Sequence, residues 1–132
     1  MVVITANIAD YNVHHIFIDN ESFVDILYFI VFTAMEFVPE QLNKFNTPIQ
    51  DFFKSSIISE RTIRLPLILG TKPRQMTVHI NFLVLNRPSA YNAILGRLSL
   101  GALKAMVSSY HLMMKFPTEA GVGQIQGNHA MA

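Results

Sequence analysis

The stretch Ile16-Phe-Ile-Asp-Asn-Glu-Ser22 is an apolar run that ends in an acidic residue, Asp19. Farther along the chain, Ala93-Ile-Leu-Gly-Arg97 is a second apolar run, and it ends in a glycine. Short runs of branched apolar residues bounded by turn residues are typical of buried strands. The two runs therefore predict two strands whose ends carry a carboxylate and a glycine. On this pattern alone, an Asp at a strand end is most often a turn or cap residue.

The neighbouring segments extend the strand pattern into two hairpins. The first run belongs to a predicted strand over 13–18, which turn residues 9–12 join to another strand over 2–8. The turn Gly70-Thr-Lys-Pro73 joins predicted strands over 62–69 and 75–85, and the second of these alternates apolar and polar residues. Such alternation is typical of a half-buried strand. These segments predict a chain dominated by β-structure.

Two short helices are also predicted. Ser22 begins a Ser-x-x-Asp pattern, which predicts an N-cap for a helix over 23–35 with Asp25 in its first turn. Pro39 ends this helix at or before residue 38. A second short helix is predicted over 97–105, a strand over 107–116, and a polar, glycine-containing tail from residue 117. The predicted fold class is mostly β with one or two short helices.

Length and composition exclude several classes of protein. With 132 residues, 51% of them hydrophobic and 14% charged, the chain is one folded domain and not a disordered tail. The net charge is +1 and the basic residues are scattered, which excludes a nucleic-acid partner. The absence of cysteine excludes disulfides, thiol catalysis and cysteine-based zinc sites, and fits an intracellular, cytoplasmic protein.

The chain is expected to bind neither a membrane nor a metal ion. The most apolar stretch, residues 26–35, is too short to span a bilayer, which takes about 20 helical residues. His14 and His15 are adjacent on a predicted strand, so their side chains are expected to point to opposite faces and not to share a metal. No cofactor is predicted.

Four longer segments together resemble one known family. The segments 13–27, 73–78, 88–97 and 108–119 are similar to the retropepsin-like aspartic protease domain of plant gypsy-type LTR retrotransposon gag-pol polyproteins. The resemblance covers about residues 2–127, so the predicted domain is 1–127 and a polar tail follows at 128–132. It implies a closed acid-protease barrel that works as a homodimer, with one aspartate from each subunit and a peptide or polyprotein as substrate.

The resemblance also implies roles for particular residues. Asp19 occupies the catalytic position, followed by Asn20 and Glu21 in the signature loop. The support loop consists of Ile94, Leu95, Gly96 and Arg97. The flap over the substrate corresponds to Asp51, Phe52, Phe53 and Lys54.

Two departures from the family pattern predict a degenerate enzyme. Glu21 occupies the glycine position of the Asp-x-Gly signature. A side chain at this position needs room, and the backbone there could require a positive φ. The Glu21 carboxylate also adds repulsion between negative charges beside the catalytic aspartates. The flap lacks its expected glycines, which form a tight hairpin tip. We therefore expect an aspartic endopeptidase fold whose activity is lost. The alternatives are a non-catalytic dimerisation or binding module, and a polyprotein fragment without a function of its own.

Overall fold

The chain begins with a hairpin in the computed structural model, which describes residues 1–44 and 61–128. Strand β1 (Val2–Ile8) pairs antiparallel with strand β2 (Tyr11–Ile18). The turn residues Ala9 and Asp10 have φ values of 52° and 69°. Two central residues of positive φ match the right-handed twist of the strands that they join. The predicted first hairpin is therefore present.

A β-bulge interrupts the first hairpin. The register shifts between Ile4 and Ala6, so that β2 carries one residue more than β1 at this point, and His15 has a φ of 56°. The rings of His14 and His15 lie 6.4 Å apart, and Nδ1 of His14 is 3.0 Å from the Thr5 hydroxyl. The expectation that these two side chains alternate across an unbroken strand does not apply, because a bulge breaks the alternation.

The second hairpin is longer than the sequence predicted. Strand β4 (Asn43–Lys44) is followed, beyond the undescribed segment, by β5 (Arg61–Thr71), which pairs along its whole length with β6 (Arg74–Leu85). On β6 the apolar residues Ile80, Phe82 and Val84 are buried, while Thr77 and His79 are exposed. The predicted alternation of β6 is therefore present.

The predicted helix over 23–35 is wrong in its first half. Residues Asp25–Tyr28 form a strand, β3, and the helix α1 covers only Phe29–Ala34. Strand β3 lies between β6, to which it is parallel, and β7 (Ala93–Leu95), to which it is antiparallel. Hydrogen bonds to both neighbours satisfy its backbone, so tertiary pairing overrides the local helical pattern. Ser22 is consequently not an N-cap, and its hydroxyl donates to the carbonyl of Val24 at 2.7 Å.

Six strands close into a barrel. Their order is β1-β2-β7-β3-β6-β5, and the ring closes where Asn7 and Ile8 of β1 pair with Ile68 and Leu67 of β5. The interior is filled by large apolar side chains, among them Phe32, Phe82, Ile4, Ile16, Leu67 and Leu95. Because the barrel is closed, each long strand has a paired strand on both of its sides, and the ends of β2 and β7 are held next to each other.

The last third of the chain adds a helix and a small sheet. Helix α2 (Arg97–Leu103) follows β7 directly, and the strands β8 (Met106–Ser108), β9 (Met113–Thr118) and β10 (Gly121–Gln126) form a three-stranded antiparallel sheet. The single strand predicted over 107–116 is therefore wrong, because Tyr110 and His111 lie in the turn between β8 and β9. Strand β10 also lies in the segment that was predicted to be a polar tail.

The mostly β fold class, with a closed barrel and two short α-helices in the described residues, is confirmed. A single turn of 3-10 helix, Pro39–Gln41, follows α1. Across residues 1–44 and 61–128, helices with the length and apolar character needed to cross a membrane are absent.

Candidate active site

Asp19 begins the loop that follows β2, beside the end of β7. Strands β2 and β7 run parallel, with Ile18 opposite Leu95, and the backbone N–H of Asp19 donates to the carbonyl of Leu95 at 3.0 Å. The carbonyl of Asp19 then accepts the N–H of Ser22 at 3.1 Å, which closes a tight turn. The side chain of Asp19 is half-exposed. The loop therefore presents a carboxylate at the barrel surface from a backbone that is fixed by its neighbours.

Glu21 fits into this turn without backbone strain. It is not among the described residues with positive φ, so the expectation of a strained glycine position is wrong. Its backbone N–H donates to Oδ1 of Asp19 at 3.0 Å, and its side chain is exposed. A turn of this kind, in which an Asp side chain accepts an N–H two residues on, suits any residue at the donating position. The backbone contact to the carboxylate is therefore retained in spite of the Glu side chain.

The segment from Leu95 to Ser99, which we call the junction, packs against the Asp19 loop. The backbone N–H of Arg97 donates to the carbonyl of Ser22 at 3.0 Å. A Cβ atom on Gly96 would lie 2.6 Å from the carbonyl oxygen of Val24 and 2.7 Å from that of Ser22. Those contacts are shorter than van der Waals separation, so the close approach of the two segments requires glycine. The structure thus places the predicted support-loop residues against the predicted catalytic loop.

Asp25 is a site residue whose environment the sequence analysis missed. It is the first residue of β3 and only 2% exposed, and its Oδ1 accepts the backbone N–H of Gly96 at 2.7 Å. Burial raises the pKa of the Asp25 carboxyl above its usual value, an effect that hydrogen bonds from Ser99 and Gly96 partly offset. The available signal was a lone acidic residue inside an apolar run, which the sequence analysis attributed to the first turn of a predicted helix.

A patch of four half-buried apolar residues, the apolar floor, lies beside Asp19. Ile94 on β7 is paired with Phe17 on β2 and with Ile26 on β3, and the ring of Phe17 stacks on Tyr91 with 4.9 Å between centroids. Paired residues on adjacent strands share one face of the sheet. Phe17 is the last residue but one of β2 and lies two residues before Asp19 along the chain. Of these four residues the sequence analysis identified Ile94 alone.

The predicted flap cannot be placed against this site. Asn43 and Lys44 of β4 pair with Thr62 and Arg61 of β5. The flap residues Asp51, Phe52, Phe53 and Lys54 lie outside the described residues.

Two further features complete the surroundings of Asp19. The guanidinium of Arg97 lies 5.8 Å from the centre of the Phe23 ring, a cation–π distance, and the Phe23 side chain is 54% exposed. Within residues 1–44 and 61–128, no three His, Asp or Glu side chains converge in a way that could hold a metal ion. The chemistry available at the loop is therefore that of a carboxylate beside an apolar surface.

The closed six-strand barrel, with its parallel β2–β7 pair and the loop that follows β2, is a retropepsin-like acid-protease fold. Among solved structures, the retroviral protease-like domain of Ddi1 from Leishmania major matches with a TM-score of 0.63 and 14% sequence identity. The match covers 97% of this chain and 93% of that one. No family model and no curated protein matches the sequence. At this identity the likeness concerns the fold alone.

Proposed function

We propose that the chain is an aspartic peptidase-like domain derived from the gag-pol polyprotein of a plant gypsy-type retrotransposon, with Asp19 as its catalytic carboxylate and with impaired activity. The observation that carries the proposal is the position of Asp19, in a tight turn whose backbone is bonded to the β7–α2 junction. The sequence resemblance at residues 13–27 and 88–97 supports the same assignment.

The proposed chemistry requires a second copy of the chain. Peptide hydrolysis by aspartates uses two carboxylates that share one proton, so that one acts as a base on water while the other acts as an acid. The described part of one chain carries one such loop, at Asp19. A homodimer in which two Asp19 loops face each other would supply the pair.

The apolar floor is the proposed contact for the substrate. Phe17, Ile26, Tyr91 and Ile94 are half-buried, and so they offer apolar area that a bound side chain could cover. Burial of apolar surface contributes about 25 cal/mol per Å². A peptide with a large apolar residue at the cleaved bond fits this surface better than a charged peptide does.

The proposed impairment arises from charge. Glu21 keeps its backbone contact to Asp19, so bulk and strain do not account for a loss of activity. In a dimer, however, two exposed Glu21 carboxylates would lie close to the two aspartates. Added negative charge favours the protonated forms of the pair, and a pair that holds two protons has no general base.

A cleavage assay at acidic pH tests the proposal. Wild-type protein is incubated with a pool of peptides that carry paired apolar residues, beside the variant Asp19→Asn. We expect slow cleavage by the wild type and none by Asp19→Asn, because an amide cannot serve as the general base. Cleavage that survives Asp19→Asn would refute the assignment of the catalytic residue.

A non-catalytic dimerisation or binding module is the second candidate function. The exposed apolar side chains next to the loop favour it, because Phe23 is 54% and Leu98 62% exposed. If this alternative holds, both the wild type and Asp19→Asn bind apolar peptides with equal affinity in a fluorescence titration, and neither cleaves them.

A further inference from the structure

Strand β10 has one backbone edge that faces away from its partner in the small sheet. In the described residues β9 lies on one side of β10, and no strand pairs with the other side. The N–H of Gly127 donates to the carbonyl of Leu112, toward β9, whereas the N–H of the next residue, Asn128, donates to the carbonyl of Val3 on β1 at 2.6 Å. Along β10, the backbone groups of successive residues therefore point alternately toward β9 and away from it.

This alternation leaves Val122 and Gln124 with backbone groups that point away from β9. Pro117 lies opposite Val122, and its lack of an N–H agrees with a position in the ladder where no bond between the two strands forms. Asn128 satisfies its outward N–H on β1, but no described strand lies opposite Val122 or Gln124. A row of unpaired backbone groups is a template for a further strand.

A groove, which we call the edge groove, runs along this part of β10. It consists of two adjoining cavities of about 450 and 610 Å³ that share Thr71 and Gln124. Strand β10 lines one side, and β1 and the β5–β6 hairpin line the other. The six residues of β10 span about 20 Å, the length of a six-residue strand. No residue of the Asp19 loop, the junction or the apolar floor lines either cavity.

Two glycines fix the walls of the edge groove relative to each other. A Cβ atom on Gly123 of β10 would lie 2.6 Å from the Phe116 ring and 3.0 Å from the carbonyl oxygen of Arg74. A Cβ atom on Gly70 of β5 would meet the same carbonyl oxygen and lie 2.9 Å from the same ring. The β5–β6 hairpin and β10 thus pack closely around the buried Phe116 side chain, and the groove is part of the packed fold.

The end of the edge groove at the two hairpin turns carries unpaired positive charge. Lys72 and Arg74 line this end, and neither forms an ion pair within the part of the chain that the structure describes. Nε of Arg74 lies 3.6 Å from the place that a Cβ on Gly121 would take, against the β9–β10 turn. No Asp or Glu lines either cavity, and Glu119 in that turn lies outside the lining. Because the whole chain has a net charge of only +1, attraction for an acidic ligand is local to this place.

We propose that the edge groove binds an extended, acidic peptide segment of a partner protein. The segment adds to β10 as a further strand and places a carboxylate side chain beside Lys72 and Arg74. Backbone pairing supplies affinity, and the two cations supply the preference for acidic segments. Met106 on β8 lies at the opposite edge of the small sheet, so a bound segment leaves that edge free for the proposed homodimer. The proposal does not depend on peptide cleavage.

The probe is a fluorescently labelled, capped hexapeptide that alternates valine and glutamate, titrated with wild-type protein at neutral pH by fluorescence anisotropy. One comparison peptide has lysine in place of each glutamate, and the other is N-methylated at every residue and so has no backbone N–H to donate. We expect the glutamate peptide to bind at least tenfold more tightly than either. Its affinity should fall as sodium chloride is added, because salt screens exposed charges.

Paired charge reversals test where the peptide binds. Lys72→Glu combined with Arg74→Glu should weaken binding of the glutamate peptide at least tenfold and strengthen binding of the lysine peptide. Arg64→Glu combined with Lys104→Glu is the matched control, since it changes the net charge equally at two exposed residues that line neither cavity. The control should change the affinity less than threefold.

Amide hydrogen exchange identifies the pairing edge. Saturation with the glutamate peptide should slow exchange at Val122 and Gln124, whose N–H groups point away from β9. It should leave Gly123 and Ile125 unchanged, because the N–H groups of these residues point toward β9 with or without the peptide.

Four results would overturn the proposal. Equal affinity for the glutamate and lysine peptides would exclude charge recognition, and equal affinity for the methylated peptide would exclude strand pairing. An equal response of the two double variants would place the peptide elsewhere. Exchange at Val122 and Gln124 that slows with rising protein concentration, without peptide, would assign this edge to a second copy of the chain. The peptide comparisons use the wild type, so they decide even if a variant fails to fold.

Discussion

Glu21 shows how one residue can keep a backbone role and change the electrostatics of a loop. Its N–H donates to Asp19 Oδ1 at 3.0 Å, a contact that depends on the main chain alone, while its carboxylate is exposed. Backbone and side chain therefore have separable effects at this position. Substitutions that remove the charge but keep the size distinguish them.

We predict that Glu21→Gln raises the rate of peptide cleavage as much as Glu21→Gly does. Both variants remove one negative charge per subunit, and the turn has no positive φ that would favour glycine. A gain of at least tenfold in kcat/KM corresponds to about 1.4 kcal/mol of transition-state stabilisation. Because the added carboxylates favour the protonated pair, the wild type should reach its best rate at a higher pH than either variant.

The measurement is a pH–rate profile of kcat/KM for the three proteins, with Asp19→Asn in each background as the control that abolishes activity. A large gain in Glu21→Gly and none in Glu21→Gln would mean that size, and not charge, disables the loop. Equal activity in all three proteins would show that Glu21 does not impair the site.

At the scale of elements, the junction between β7 and α2 decides whether the Asp19 loop can form. Gly96 has ordinary backbone angles, with φ at −102°. What it provides is the absence of a side chain, because carbonyl oxygens of Val24 and Ser22 occupy the place of a Cβ at 2.6 Å and 2.7 Å. Backbone atoms held in a closed barrel have little freedom to move away.

We predict that Gly96→Ala lowers the free energy of unfolding by about 1–3 kcal/mol, the usual cost of overpacking a tight contact. Gly101→Ala is the matched control on the same helix, where a Cβ meets nothing within 4 Å. It should be neutral or should stabilise by about 0.5–1 kcal/mol, since alanine is the better helix former. Urea denaturation of both variants measures the two effects, and an equal response of the two would contradict the clash.

The elements that the sequence predicted well are those with local rules. The β1–β2 turn and the alternation along β6 depend on neighbouring residues, and both are found in the structure. Strand β3 was missed because its pattern of apolar residues also fits a helix, and only its position between β6 and β7 makes it a strand. Strands β8 and β9 were merged because both alternate, and the turn at Tyr110 and His111 carries no glycine or proline.

The residues of the candidate site also differ in whether the sequence alone could predict them. Asp19 and Gly96 stand in recognisable motifs, so the sequence could identify them. The apolar floor depends on the register of β7 against β2 and β3, which lie far earlier in the sequence, and Asp25 depends on a contact with Gly96, 71 residues away. Such contacts exist only in the closed barrel, and a pattern read along the chain does not contain them.

At the scale of the whole molecule, the described surface leaves apolar side chains and strand edges exposed. In the sheet ordered β10-β9-β8, the outer strands β8 and β10 are edges among the described residues. Three apolar side chains of this sheet and its turns are well exposed: Met106 at 76%, Tyr110 at 90% and Val122 at 59%. Edge strands with exposed apolar side chains readily pair with another chain. The proposed homodimer can use this sheet.

We predict that the protein sediments as a reversible dimer at micromolar concentration and that Met106→Glu weakens the dimer, because a carboxylate on an apolar contact surface must lose its hydration when the surfaces meet. Ile30→Glu is the matched control, since Ile30 is 75% exposed but lies on α1, outside the β8–β9–β10 sheet. Sedimentation velocity over a concentration series measures the dissociation constant of each protein. A wild type that stays monomeric would refute the homodimer. An equal loss of dimer affinity in both variants would show that the interface does not depend on the β8–β9–β10 sheet. If dimers form and Asp19 requires its partner, the concentration at which cleavage is half-maximal should match the measured dissociation constant.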